Sequence, residues 1–323
     1  MAPLTEAAGA IASFVSTYTA LRAFVNASYL PDPSVGWKQT PSAAVVVTAA
    51  SIVFVSMFLI ERGFRLALSA AFSNHTVLRE KRARHILARM AYTTLALVYI
   101  SYMGYSMCLD LQWAPPDKRT YAYIPYVLPP TAHGRVYSYL PKFAWTCVAM
   151  GAFQTKNLLD SIIFGDGPEF IMHHLVCIFV AYGALSGQFL HLYGIFFFGL
   201  SEASTALVSV LACFDEKLGV PELGDEHPLL KITCGISFAV SFIAIRIVVW
   251  PYLAYCLTLD CLQVLKEGSS HSEVIVWSFL ACLLALTLLQ FFWLAEIVRQ
   301  ARIEIPAALG YGTAPAQAAK KSK

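Results

Sequence analysis

Residues 156–185 read KNLLDSIIFGDGPEFIMHHLVCIFVAYGAL, and residues 196–210 read FFFGLSEASTALVSV. Between them they set Lys156, Asp160, His173, His174 and Glu202 among almost wholly apolar neighbours. An Asp or Lys at the centre of a membrane helix costs roughly 2.5–3.5 kcal/mol on insertion scales. Such groups therefore turn toward a bundle interior or a wet cavity and mark a functional site by default.

The rest of the chain extends this pattern. Of its 323 residues, 58% are hydrophobic and 13% charged, with a mean hydropathy of +0.60. Soluble domains carry about 25% charged residues, so the composition indicates a multi-pass membrane protein, and the apolar runs have the length of helices rather than barrel strands. Spans are expected at about 42–60, 90–109, 142–164, 170–190, 192–214, 231–257 and 274–298, about seven in one domain. Residues 1–41 form an N-terminal segment with a weakly apolar stretch at 5–28, expected as an interfacial helix, and residues 301–323 form a tail. The Pro- and Tyr-rich stretch 110–141 suits the headgroup level, where Tyr and Trp concentrate.

Orientation follows from Lys and Arg. The densest basic cluster, Arg62 to Arg89, follows the first span, and Arg299, Arg302, Lys320, Lys321 and Lys323 follow the last. An odd number of spans puts both regions on one side, which the positive-inside rule makes cytosolic. Asn26 of Asn-Ala-Ser is then lumenal and Asn74 of Asn-His-Thr cytosolic. The terminal Lys-Lys-Ser-Lys resembles a dilysine retrieval signal of endoplasmic-reticulum proteins, and reads equally as a solvated basic tail.

Other classes are excluded. A net charge of +3 without interleaved aromatics carries no nucleic-acid argument. Cys147, Cys177, Cys213, Cys234 and Cys282 lie in apolar runs and read as small core residues. No His-x-x-x-His array is present, so no metal site is expected. The last span has no lysine for a retinal Schiff base, and no matching half-helices suggest a transporter.

The site residues have structural and chemical readings side by side. Lys156 and Asp160 share a helix face at i,i+4, as a structural ion pair or as part of a site. His173 and His174 point about 100° apart, so one faces a cavity while the other packs. An imidazole serves as general base and a nearby carboxylate fixes its tautomer, which would be the role of Asp160. Glu202, with Gly199, Thr205 and Ser209 on its face, reads as a cavity wall or a tight helix contact. Arg246, central in the sixth span, is the natural partner of Glu202, roughly 10–15 Å deeper than the histidines. Pro251 is expected to kink that span.

The order Asp160, His173-His174, Glu202-Ala-Ser-Thr, then Arg246 followed by a proline resembles the TLC domain of TRAM proteins, ceramide synthases and other TLC domain-containing proteins. The resemblance implies a helical barrel around a lipid-sized cavity in an endoplasmic-reticulum membrane. It also implies a membrane lipid or fatty acyl chain as partner, and acyl-CoA as co-substrate where the domain is an acyltransferase. Ceramide synthases use the paired histidine in acyl transfer, but they carry a His-Asp where this chain reads FFFGLSEASTAL. The pattern is therefore nearer the subgroup linked to membrane phospholipid composition. Two readings follow: an acyltransferase with His173 or His174 as base or acyl acceptor, or a non-catalytic lipid-binding regulator using the same cavity.

Overall fold

The computed structural model describes residues 42–216 and 219–308, with isolated helical positions between residues 8 and 23. Apart from those positions, the N-terminal segment 1–41 with Asn26, and the tail beyond residue 308 with its terminal lysines, lie outside the described residues. Among the described residues the chain is all-α: α1 (Ala43–Ala71), α2 (Lys81–Asp110), the short α3 (Ala132–Tyr137), α4 (Pro141–Phe164), α5 (Pro168–Gly187), α6 (His191–Phe214), the short α7 (Pro221–Glu226), α8 (Pro228–Lys266) and α9 (Glu273–Ala308).

Helix starts follow local chemistry. Ser42 caps α1 by accepting from the Val45 amide, and prolines open α4, α5, α7 and α8, where the missing N–H has no intrahelical partner to lose. Gly165 closes α4 at φ +71°, and with Asp166 and Gly167 it folds α4 back on α5 as a helical hairpin.

Six helices are long and apolar enough to cross a bilayer: α1, α2, α5, α6, α8 and α9. The remaining expected span, α4, has 24 residues, enough for a crossing at about 1.5 Å per residue. Lys142, Gln154, Lys156, Asn157 and Asp160 dilute its apolar character, and most of its residues are buried. It packs along α5 and against α1 and α2, so Gln154, Lys156, Asn157 and Asp160 face protein rather than lipid. Several helices outrun their apolar stretches. α1 runs on past residue 60 to Ala71, α8 spans 39 residues, and α9 continues past residue 298. Charged residues continue a helix readily once it leaves the hydrocarbon.

The helices divide into an inner and an outer set. In α5 and α6, 56% of the apolar window is buried inside the protein, against 11% in α8 and 22% in α1 and α2. Exposed Ile52, Leu95, Val98, Ile236, Val240, Leu284 and Leu288 give the outer helices the surface that lipid requires. Between α2 and α6, Gly104 and Gly199 meet backbone to backbone, where an added Cβ would come within 2.6 Å of the opposite Cα. The small face beside Glu202 is thus a tight helix contact.

α6 widens into a π turn at Ile195–Leu200 and α8 does so at Ile243–Val249. The second immediately precedes Trp250-Pro251, and the helix runs on to Lys266. The proline is thus accommodated by a local widening within one continuous helix. The stretch 111–140 is held by a Trp113–Tyr126 bridge and by α3. Of the eight free cysteines, Cys147 and Cys177 are buried and Cys213, Cys234 and Cys282 half-buried, in keeping with small packing residues.

Candidate functional site

All but one of the predicted polar residues are held in one of three groups, the exception being Ser209. The first lies toward the end of the bundle that carries the 62–89 basic cluster. Lys156, 1% exposed, sits with Nζ 2.8 Å from Asp160 Oδ2 and 3.1 Å from Glu61 Oε2. The rings of Phe58 and Tyr92 lie 4.8 and 4.4 Å from the ammonium. Asp160 also accepts from Tyr92 at 3.1 Å and faces Arg89 Nε at 3.6 Å. Arg89 donates to Asp166 Oδ2 at 3.1 Å, which also accepts from Ser161 at 2.7 Å. The i,i+4 pair is therefore part of a larger network whose other members the sequence reading missed. Glu61 stands at the end of an apolar run beside basic residues, and Arg89 turns inward although it belongs to the basic cluster. Glu61 also lies 4.0 Å from Arg65 at i+4, a spacing that is visible in the sequence.

The second group is the histidine pair, ring centroids 5.4 Å apart. His174 faces α4, and its Nδ1 lies 2.6 Å from Gln154 Oε1. His173 faces α9, packing edge-on against Trp293 at 5.2 Å with Cys177 Sγ 3.7–3.8 Å from its ring nitrogens. The two imidazoles thus take separate surroundings, as their 100° offset required. The side chain at hydrogen-bond distance from an imidazole is Gln154, not Asp160, whose acceptor Oδ2 is engaged by Lys156 and Tyr92. Gln154 carried no sequence signal, since a lone glutamine in an apolar helix suits many packed positions. Asp160, Asp166 and Arg89 are all near enough to act electrostatically on His174.

The third group joins α6 to α8. Arg246 Nη2 lies 3.2 Å from Glu202 Oε1, 2.8 Å from Thr205 Oγ1 and 3.0 Å from the Ser201 carbonyl, and Nε lies 3.3 Å from Ser204 Oγ. The expected Glu202–Arg246 pair is present, with Thr205 beside it. Ser209 points elsewhere, to Thr94 of α2 at 2.8 Å, while Ser204 takes the place beside the guanidinium. The π turns frame this cluster: Arg246 lies within one, and Ser201 follows the other directly. The guanidinium lies 5.0 Å over the Trp250 ring. It is also close enough to act electrostatically on His173, and Glu202 and Arg246 together on Cys177, which links the second and third groups.

An apolar cavity of about 50 Å³ lies beside this junction, lined among others by Phe143, Val180, Ala184, Phe197, Trp250 and Leu283. Along α5, His173, Cys177, Val180 and Ala184 follow one another at helical spacing, so the cavity continues the His173 face. None of the predicted site residues lines it. Mutual satisfaction explains why the polar residues do not line a cavity: the charged side chains fill the space between helices with each other. Among the described residues no three His, Cys, Asp or Glu side chains converge on a metal position.

No curated protein matches the chain. A family model does, and its extent agrees with the geometry: the TLC domain model spans residues 9–299, covering all three polar groups and the helices that carry them. With nearly its whole length matched, and six apolar membrane-crossing helices around a buried polar centre, this chain belongs to the TLC domain family.

Proposed function

We propose that the protein takes up the acyl chain of a membrane lipid in the apolar cavity and works on its polar end at the His173–His174 pair. The observation that carries this reading is the shared position of Trp250, which lines the cavity and stacks under Arg246. An apolar cavity and a buried set of ionisable groups thereby meet at one side chain. At about 50 Å³ the cavity is far smaller than the roughly 300–1,000 Å³ of pockets for drug-sized ligands, so a chain widens it on entry.

As chemistry, the pair suits acyl transfer from acyl-CoA. An acceptor hydroxyl or amine would attack the thioester carbonyl while an imidazole takes its proton, and the CoA thiol would leave as the new ester or amide forms. The basic cluster from Arg62 to Arg89 supports a cytosolic face at that end of the bundle. A second reading, non-catalytic lipid binding that controls membrane composition, is favoured by the closed pairing of Glu202 with Arg246 and of Lys156 with Glu61 and Asp160.

Mass spectrometry of lipids retained by the purified protein tests the uptake, with a bound acyl lipid expected and a lipid-free protein refuting it. The double change His173→Ala and His174→Ala then separates the readings. Lost product with lipid retained supports transfer, and an unchanged cellular lipid profile supports the non-catalytic role.

A further inference from the structure

We infer that Gln154 is the positioning residue of His174: it fixes the ring as the Nδ1–H tautomer and leaves Nε2 as the proton-accepting nitrogen. The inference deepens the proposed role of the histidine pair and rests on it. It begins from the 2.6 Å contact between His174 Nδ1 and Gln154 Oε1. An amide oxygen only accepts, so the shared hydrogen must sit on Nδ1, and a neutral imidazole then has its lone pair at Nε2. Among the described residues no hydrogen bond engages that nitrogen.

The orientation of the amide is itself chemically determined. Gln154 Nε2 donates to Met150 Sδ at 3.5 Å. A reversed amide would set its oxygen against a thioether, which has no hydrogen to give, and would leave a buried acceptor unpaired. Gln154 is 3% exposed, so water offers no ready alternative. The reach is short because α4 and α5 approach closely one turn earlier, where a Cβ on Gly151 would fall 2.0 Å from the Tyr182 ring.

A glutamine differs here from the carboxylate that usually orients a catalytic histidine. It holds the tautomer without placing a full negative charge against the ring. Asp160 is unavailable for the role, because Lys156, Tyr92 and Arg89 surround its carboxylate. Among the described residues His173 has only the Cys177 thiol at its ring nitrogens and no equivalent anchor.

The test is histidine-labelled NMR of the full chain in lipid nanodiscs without substrate, with the His174 signal assigned by its loss in His174→Ala. The wild type is expected to show the Nδ1–H tautomer. Gln154→Leu should convert the ring to Nε2–H or a mixture. Isosteric Gln154→Glu, retained should the leucine variant not fold, should give the doubly protonated ring at neutral pH. An Nε2–H tautomer in the wild type, or a His174 signal unmoved in Gln154→Glu, overturns the inference. Neither result bears on lipid uptake, and a lipid-free protein with the expected tautomer would instead refute the proposed function alone.

Discussion

Two buried ionic clusters, one toward each end of the bundle, solve the same problem differently. Far from the 62–89 cluster, Asp260 accepts from Arg135 at 2.6 and 2.7 Å, from Tyr193 at 2.5 Å and from Tyr121 at 2.9 Å. Arg135 Nη1 donates to the Pro129 and Pro130 carbonyls. Both Asp260 carboxylate oxygens are engaged, and the result ties the 111–140 segment to α6 and α8. At the opposite end Arg89 is shared between Asp160 and Asp166, and buried Asp166 Oδ1 has no partner among the described residues. A saturated cluster clamps. An unsaturated one beside His174 keeps acceptor capacity that a ligand can use, and an orphaned buried acceptor is tolerated only where something offsets its cost.

Breaking the saturated cluster should have the largest effect. Asp260→Ala leaves Arg135 buried without its anion, at a cost of about 3–5 kcal/mol, read as a large fall in thermal midpoint in detergent. An unchanged midpoint would mean that the two clusters do not differ as described. Lys156→Met should cost less, about 2–3 kcal/mol, because Asp160 keeps Arg89 and Tyr92 while Glu61 loses its closest cation. Adding Glu61→Leu to that variant should restore part of the loss, and a further drop would show that Glu61 has another indispensable partner. Gly104→Ala forces α2 from α6 and should cost about 1–3 kcal/mol through overpacking. Smallest of all, Lys142→Ala removes an exposed pair with Asp110, both side chains about half accessible, and should move stability by less than about 1 kcal/mol. A larger loss there would mean that this pair is shielded from solvent, contrary to the geometry.

The comparison also separates what was readable from what was not. The Glu202–Arg246 pair was legible because two mid-span charges on otherwise apolar helices have few ways to be tolerated. Lys156 and Asp160 were legible as neighbours by helical spacing alone. Asp260 and Tyr193 gave no warning. Asp260 lies near the end of an apolar run, where an acid is ordinarily solvated, and only the return of the 111–140 segment over it makes it a hub. Ser209 and Ser204 show the same limit at finer scale, since both lie on α6 near Glu202 and only one reaches Arg246.

By itself the sequence determined a helical membrane protein, the approximate place of its spans, and the short list of side chains that cannot face lipid. Those follow from one-dimensional quantities: apolar run length, charge placement and the 100° step of the helix. Which of these side chains meet was decided by tertiary structure alone. Gln154 reaches His174 and Asp160 does not, because hydrogen bonds act over about 3 Å while sequence spacing says nothing of how one helix is rotated against the next.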